Sequence, residues 1–146
     1  MSKPRVWTIG YEQSTVADFL AALKAAGIEV LADVRAIAAS RRPGFSKTAL
    51  AANLAEAGIG YVHYRALGTP AEGRAAARAG KKAALEEIYA GQLELPEAIA
   101  QGAALAELAA DKRVALLCYE RDPTCCHRTL LREAVLGEFA AVDLFA

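Results

Sequence analysis

The side chains best suited to chemistry are concentrated in one stretch, Cys118-Tyr-Glu-Arg-Asp-Pro-Thr-Cys-Cys-His-Arg128. Cys118, at a strand end, and Cys126 are candidate nucleophiles, and a thiolate at Cys126, at a helix start beside an arginine, would be stabilised. Glu120 and His127 are candidates for moving a proton, Glu120 by orienting His127 or acting as a base. Arg121 and Arg128 are candidates for holding an anion, and the free N–H groups of a helix opening near Arg128 would add donors and a favourable dipole. The plainer alternative is that Cys118 is a small buried hydrophobe and that Arg128 pairs with Glu120 or Asp122. A second group is Arg35, Arg41 and Arg42, whose forked guanidinium groups suit phosphate or carboxylate; a solvated pair at Arg41-Arg42 and an Arg35–Asp33 pair are the alternatives. His63 and Tyr11 complete the set, either as proton-transfer and ligand-binding groups or as structural hydrogen-bonding residues. Arg74, Arg78 and Lys82 recur at i, i+4 and i+8, which describes one basic helix face, and such faces usually meet solvent. Cysteine and histidine are both present, but without C-x2-C spacing, so no metal site is expected.

The elements that must position these residues follow from hydrophobic patterning. Val6–Ile9 is a β-rich run stopped by Gly10. Ser14 or Thr15 caps a helix carrying Val16, Phe19, Leu20 and Leu23, which Gly27 ends. Ile28–Val34 is a second strand, so the opening reads as a βαβ unit and the sheet as parallel. Ser46 is placed to cap a helix to about Glu56, with Phe45 and Leu50 as a hydrophobic staple. Ile59–Tyr64 is the third strand. A long connection from Arg65 to Lys82 follows, turning helical over Ala83–Tyr89. Pro96 opens a helix to about Asp111. Val114–Cys118 is a fourth, fully apolar strand, Thr129–Leu136 a helix, and Val142–Phe145 a fifth, edge strand.

This order predicts one α/β domain over residues 1–146: a three-layer, Rossmann-like arrangement with a mostly parallel sheet of four to five strands flanked by helices. In such sheets ligands bind beyond the carboxyl ends of the strands. Residues following four of the strands are polar: Tyr11, Arg35, His63 and the Cys118–Arg128 stretch. They are expected to converge on one site.

The chain has 146 residues, 55% of them hydrophobic and 23% charged, which is the composition of a globular domain. Lys plus Arg and Asp plus Glu are both 17, so the neutral total argues against a protein that coats nucleic acid non-specifically. Three cysteines, two of them adjacent, do not form a disulfide framework. With no apolar signal core and no membrane-length apolar run, a cytoplasmic location is expected and no membrane partner.

Thr8-Ile-Gly-Tyr11, Asp33-Val-Arg35, Ser40-Arg-Arg-Pro-Gly-Phe45, Tyr61-Val-His63, Leu67-Gly68 and Cys118-x-Glu120-x-x-Pro123-x-x-Cys126-His-Arg128 together resemble the domain of unknown function 488 family. The resemblance runs in order along nearly the whole chain, and its closing pattern is the most specific part. Members of that family often carry His at the position of Tyr11. The resemblance implies a Rossmann-like parallel α/β domain and supplies no reaction.

Three functions compete. The first is binding or processing of a phosphate-bearing ligand, a nucleotide or nucleic-acid end, by the sheet-mouth arginines. No Gly-x-Gly-x-x-Gly or Walker pattern is present, so dinucleotide and ATP binding are disfavoured and no cofactor is expected. The second is cysteine chemistry loosely like rhodanese, although Arg128 lies ten residues past Cys118 and the short Cys-x5-Arg loop is missing. The third is a non-enzymatic interaction or regulatory module whose polar cluster is structural. The sequence carries no sign of oligomeric state.

Overall fold

The computed structural model describes residues 4–121 and 127–146. Five strands form one sheet: β1 (Arg5–Gly10), β2 (Val30–Asp33), β3 (Gly60–His63), β4 (Val114–Cys118) and β5 (Ala140–Phe145). Their spatial order is β3-β2-β4-β1-β5, and every pairing is parallel. Among the described residues six helices connect them: α1 (Val16–Ala25), α2 (Lys47–Glu56), α3 (Ala71–Arg78), α4 (Lys82–Leu93), α5 (Pro96–Asp111) and α6 (His127–Val135). None of the helices among the described residues is long and apolar enough to cross a membrane.

Side chains alternate across a strand, so the apolar β4 serves two cores at once. Val114 and Leu116 join Val30, Ala32, Tyr89, Leu105 and Leu131, under α4, α5 and α6. Ala115 and Leu117 join Ile9, Leu31, Phe19, Leu23, Leu50 and Leu54, under α1 and α2. The result is the three-layer α/β arrangement expected of the Rossmann-like class. The helices after β1 and β2 lie on one face and the helix after β4 on the other. The chain therefore diverges around the end of β4, which opens a crevice there.

The local signals explain most boundaries. Thr15 Oγ1 accepts the Asp18 amide at 3.1 Å and caps α1, and Gly27 ends it at φ 70°. Phe45 and the α2 residue Leu50 are both buried in the same core. Ser46 precedes α2 as expected, but its hydroxyl makes no cap bond. It instead accepts the Ser40 amide at 2.9 Å and donates to the Ser40 carbonyl at 3.1 Å, closing the 40–46 loop on itself. The Arg65–Lys82 connection differs from expectation. It contains a 3-10 turn at Arg65–Leu67 and then α3, before Gly80 at φ 71° separates α3 from α4. Its helix has few large apolar residues to reveal a period, because it is buried through Gly73 and Ala76. Lys82 accordingly belongs to α4, and the basic face of Arg74 and Arg78 stops at Gly80.

Candidate functional site

Two glycines allow the loops beyond the strands to close over the sheet edge. A Cβ at Gly10 would lie 1.7 Å from the Glu120 carbonyl oxygen, so the loop after β4 rests directly on the end of β1. A Cβ at Gly68 would lie 2.1 Å from the Ala36 nitrogen, which brings the chain before α3 against the chain after β2. Between these contacts is a pocket of about 410 Å3. The ends of β1, β2 and β4 contribute Tyr11, Arg35, Cys118, Tyr119 and Glu120, and α6 contributes His127. The chain after β2 adds Ala36, Ile37 and Ala39, while Thr69, Arg74, Ala77, Arg78 and Leu85 come from the α3–α4 side.

Arg35 is buried and makes four side-chain hydrogen bonds. Its Nε donates to Asp33 Oδ1 at 2.9 Å and its Nη2 to Asp33 Oδ2 at 2.7 Å, a forked pair. Nη1 donates to the Phe45 carbonyl at 2.8 Å and to the Tyr11 hydroxyl at 3.2 Å. Burial works against the guanidinium charge, but Asp33 and Tyr11 more than restore it, and the pKa is raised. Tyr61 donates to Asp33 Oδ2 from the adjacent strand. Burial, followed by Asp33, pushes its phenol up, so it stays neutral. Tyr11 stacks on Phe45 with centroids 4.7 Å apart. Arg35 and Tyr11 therefore face the pocket while tying β2 to the 40–46 loop.

Arg128 is fully buried and donates Nη1 to the Glu120 carbonyl at 2.6 Å and Nη2 to the Arg121 carbonyl at 3.1 Å. It clamps the loop after β4 onto α6. Arg121 turns the other way: it donates to the Ala146 carbonyl and lies over the Phe145 ring at 5.4 Å. Arg42 donates to the Ser14 carbonyl and Arg41 is exposed; neither lines the pocket. His63 donates Nε2–H to the Arg35 carbonyl at 2.7 Å and also stays outside the lining. The expected convergence thus holds for the ends of β1, β2 and β4, and α3 takes the place expected of β3.

The thiol and the imidazole do meet. Cys118 Sγ donates to Glu120 Oε2 at 3.1 Å and has His127 Nδ1 at 3.6 Å. His127 Nε2 lies 2.7 Å from the Val34 carbonyl, which can only accept, so the proton is on Nε2 and Nδ1 faces the sulfur. Tyr89 packs edge-on to the ring at 5.2 Å, and its hydroxyl is held by the Leu67 carbonyl at 2.6 Å. Burial alone would lower the His127 pKa. The charge of a Cys118 thiolate and its hydrogen bond, then the Val34 carbonyl and Glu120, outweigh it, and the net shift is upward. Cys126 lies outside the described residues. No group of His, Cys, Asp and Glu that could hold a metal occurs among the described residues.

Arg74 and Arg78, whose spacing describes a face that usually meets solvent, line the pocket. Their i, i+4 spacing was the available signal, but nothing in it told a pocket face from a solvent face. Arg74 is half-buried and donates Nη1 to the Thr69 carbonyl at 3.0 Å, while Arg78 is exposed. The rim residues Ile37 and Tyr119, 58% and 45% exposed, are large apolar groups left in water. They carried no sequence signal.

A family model described as Domain of unknown function DUF488 matches residues 15–135. The chain belongs to this family. Apart from Tyr11, every residue lining the pocket of this DUF488 domain falls within the matched span. No curated protein and no solved structure is found to match the chain.

Proposed function

We propose that this DUF488 domain binds a phosphate-bearing ligand, a nucleotide or a nucleic-acid end, in the pocket at the carboxyl edge of its sheet. The observation that carries the reading is the meeting of Arg74 and Arg78 with the ends of β2 and β4 around one concavity. Arg78 is exposed toward solvent and Arg74 commits one Nη1 donor to Thr69, so guanidinium groups border the opening. Ala36, Ile37, Ala77 and Leu85 offer an apolar wall, and Tyr119 an exposed ring, for the uncharged part of such a ligand. Arg35 and Arg128, the arginines favoured by sequence, support the reading indirectly by holding the walls in place.

Thermal denaturation in the presence of inorganic phosphate, nucleoside monophosphates and short oligonucleotides tests the reading. At least one of these anions is expected to raise the melting temperature, and the Arg74→Ala/Arg78→Ala double variant is expected to abolish the rise. If no anion stabilises the wild-type protein, the reading fails.

A second reading is a non-enzymatic interaction module with a purely structural polar cluster. It is favoured by the donors of Arg35 and Arg128 that are spent on Asp33 and on main-chain carbonyls. The same titration separates the two, because a structural cluster gives no anion-dependent stabilisation.

A further inference from the structure

The pocket bordered by arginines also holds a thiol with a proton acceptor already aimed at it. Cys118 ends β4, is 5% exposed, and lines the pocket with Glu120 and His127. Glu120 and His127 act on the sulfur in opposite senses. An ionised carboxylate at 3.1 Å keeps the proton on sulfur, whereas an imidazolium at 3.6 Å stabilises the thiolate. The ring cannot turn without losing its Val34 bond, so Nδ1 is the nitrogen left to accept a proton. Nucleophile, base and a group orienting the base are the parts that covalent catalysis needs. Among the described residues, the titratable and charged groups sharing this pocket with Cys118 are Tyr11, Arg35, Arg74, Arg78, Tyr119, Glu120 and His127. Of these, Arg35 is neutralised by Asp33, leaving Arg74 and Arg78 as the cations not paired with a carboxylate among the described residues.

We infer that Cys118 is a nucleophile, with His127 as its base, that accepts the phosphoryl group of a phosphate monoester held in this pocket. This rests on the anion-binding reading above. In the first step the thiol proton moves to His127 Nδ1, sulfur forms a bond to phosphorus, and the ester P–O bond breaks. The departing alkoxide takes the proton from His127 and leaves as an alcohol. In the second step water attacks phosphorus and gives a proton to Glu120. The S–P bond breaks, phosphate leaves, and the proton returns to sulfur. Ester and water are consumed, alcohol and phosphate are formed, and no redox partner is needed.

Alkylation by iodoacetamide, a neutral reagent, reads the thiol without the arginines. At about pH 6 Cys118, located by peptide mass mapping, is expected to react about tenfold faster than glutathione, the gain in thiolate outweighing the lower nucleophilicity of a more acidic thiol. Inorganic phosphate should slow the reaction. Acid quenching during incubation with p-nitrophenyl phosphate should trap phosphocysteine at Cys118, and Cys118→Ser should trap none. His127→Gln should return alkylation to the glutathione rate. Should that variant fail to fold, the wild-type pH profile serves instead, because an activated thiol keeps its rate below neutrality while an ordinary one loses it. Slow alkylation with phosphate still stabilising the fold overturns the nucleophile and leaves the anion reading standing. Fast alkylation that phosphate neither slows nor accompanies with stabilisation overturns the anion reading, and phosphoryl transfer with it. Fast, phosphate-protected alkylation without phosphocysteine overturns the transfer alone.

Discussion

Replacing Gly10 with alanine introduces one methyl group where the fold has no room for it. The new Cβ would stand 1.7 Å from the Glu120 carbonyl oxygen, 2.4 Å from its carbon and 2.9 Å from Arg128 Nη1. An ordinary C···O contact needs about 3.3 Å, so the Glu120 peptide must retreat by roughly 1.6 Å. Gly10 cannot give way instead, because it is registered against Cys118 on one side and Phe145 on the other. That retreat breaks the 2.6 Å bond from Arg128 to the Glu120 carbonyl. Losing a bond to a charged donor costs about 1.5–3 kcal/mol. Overpacking adds about 1–3 kcal/mol. The smaller conformational freedom of alanine in the unfolded chain returns only about 0.4–1 kcal/mol. The expected net loss is about 3 kcal/mol, or roughly 10 °C in melting temperature for a chain of this size. Scanning calorimetry of Gly10→Ala against wild type measures it. A variant melting within about 2 °C of wild type would mean that the loop after β4 does not rest on β1, and the pocket wall described above would be wrong.

Gly91→Ala supplies the opposite expectation. Nothing lies within 4 Å of a Cβ there, and the position is inside α4, so the melting temperature should rise by the equivalent of about 0.5–1 kcal/mol. Asp33→Asn should destabilise by about 3–5 kcal/mol in urea unfolding, because it leaves the buried Arg35 guanidinium without its counter-charge. In an NMR titration His127 should hold its ring proton to a pH above the ordinary 6.5, and in Cys118→Ser it should titrate below the wild-type value, with burial no longer opposed by sulfur. The linked stability follows that sign. The raised wild-type His127 contributes stability that is full below its unfolded pKa and is lost as pH rises through its folded one.

The strands were legible because each is a short apolar run with a defined stop, and Val114–Cys118 was read to the residue. The parallel sheet followed from alternation of strand and helix, while the strand order could not, since pairing partners are set by crossovers that periodicity does not record. α3 was hidden by its own composition: glycine and alanine bury it against Thr69 and Ile88 without leaving an apolar stripe. For the site, residue types were legible and commitments were not. Arg35 was visible as an arginine at a strand end, but the carbonyl of Phe45 and hydroxyl of Tyr11 that occupy its donors arrive from distant turns. Likewise Cys118 and His127 were both candidates, yet their meeting depends on the Val34 carbonyl, a main-chain group with no sequence signature.

The placement of β1 has a consequence for how the chain acquires its shape. β1 is flanked by β4 and β5, and the Thr8–Asp143 hydrogen bond joins residues 135 positions apart. On a ribosome, which extends the chain from its amino end, β2 and β3 can pair as soon as they emerge, but β1 has no neighbour until the closing strands appear. Contacts that span so much chain form slowly, and an unpaired apolar strand attracts wrong partners while it waits. The β1 side of the sheet therefore forms late, and the pocket at its edge cannot exist until β4 and the start of α6 have been made.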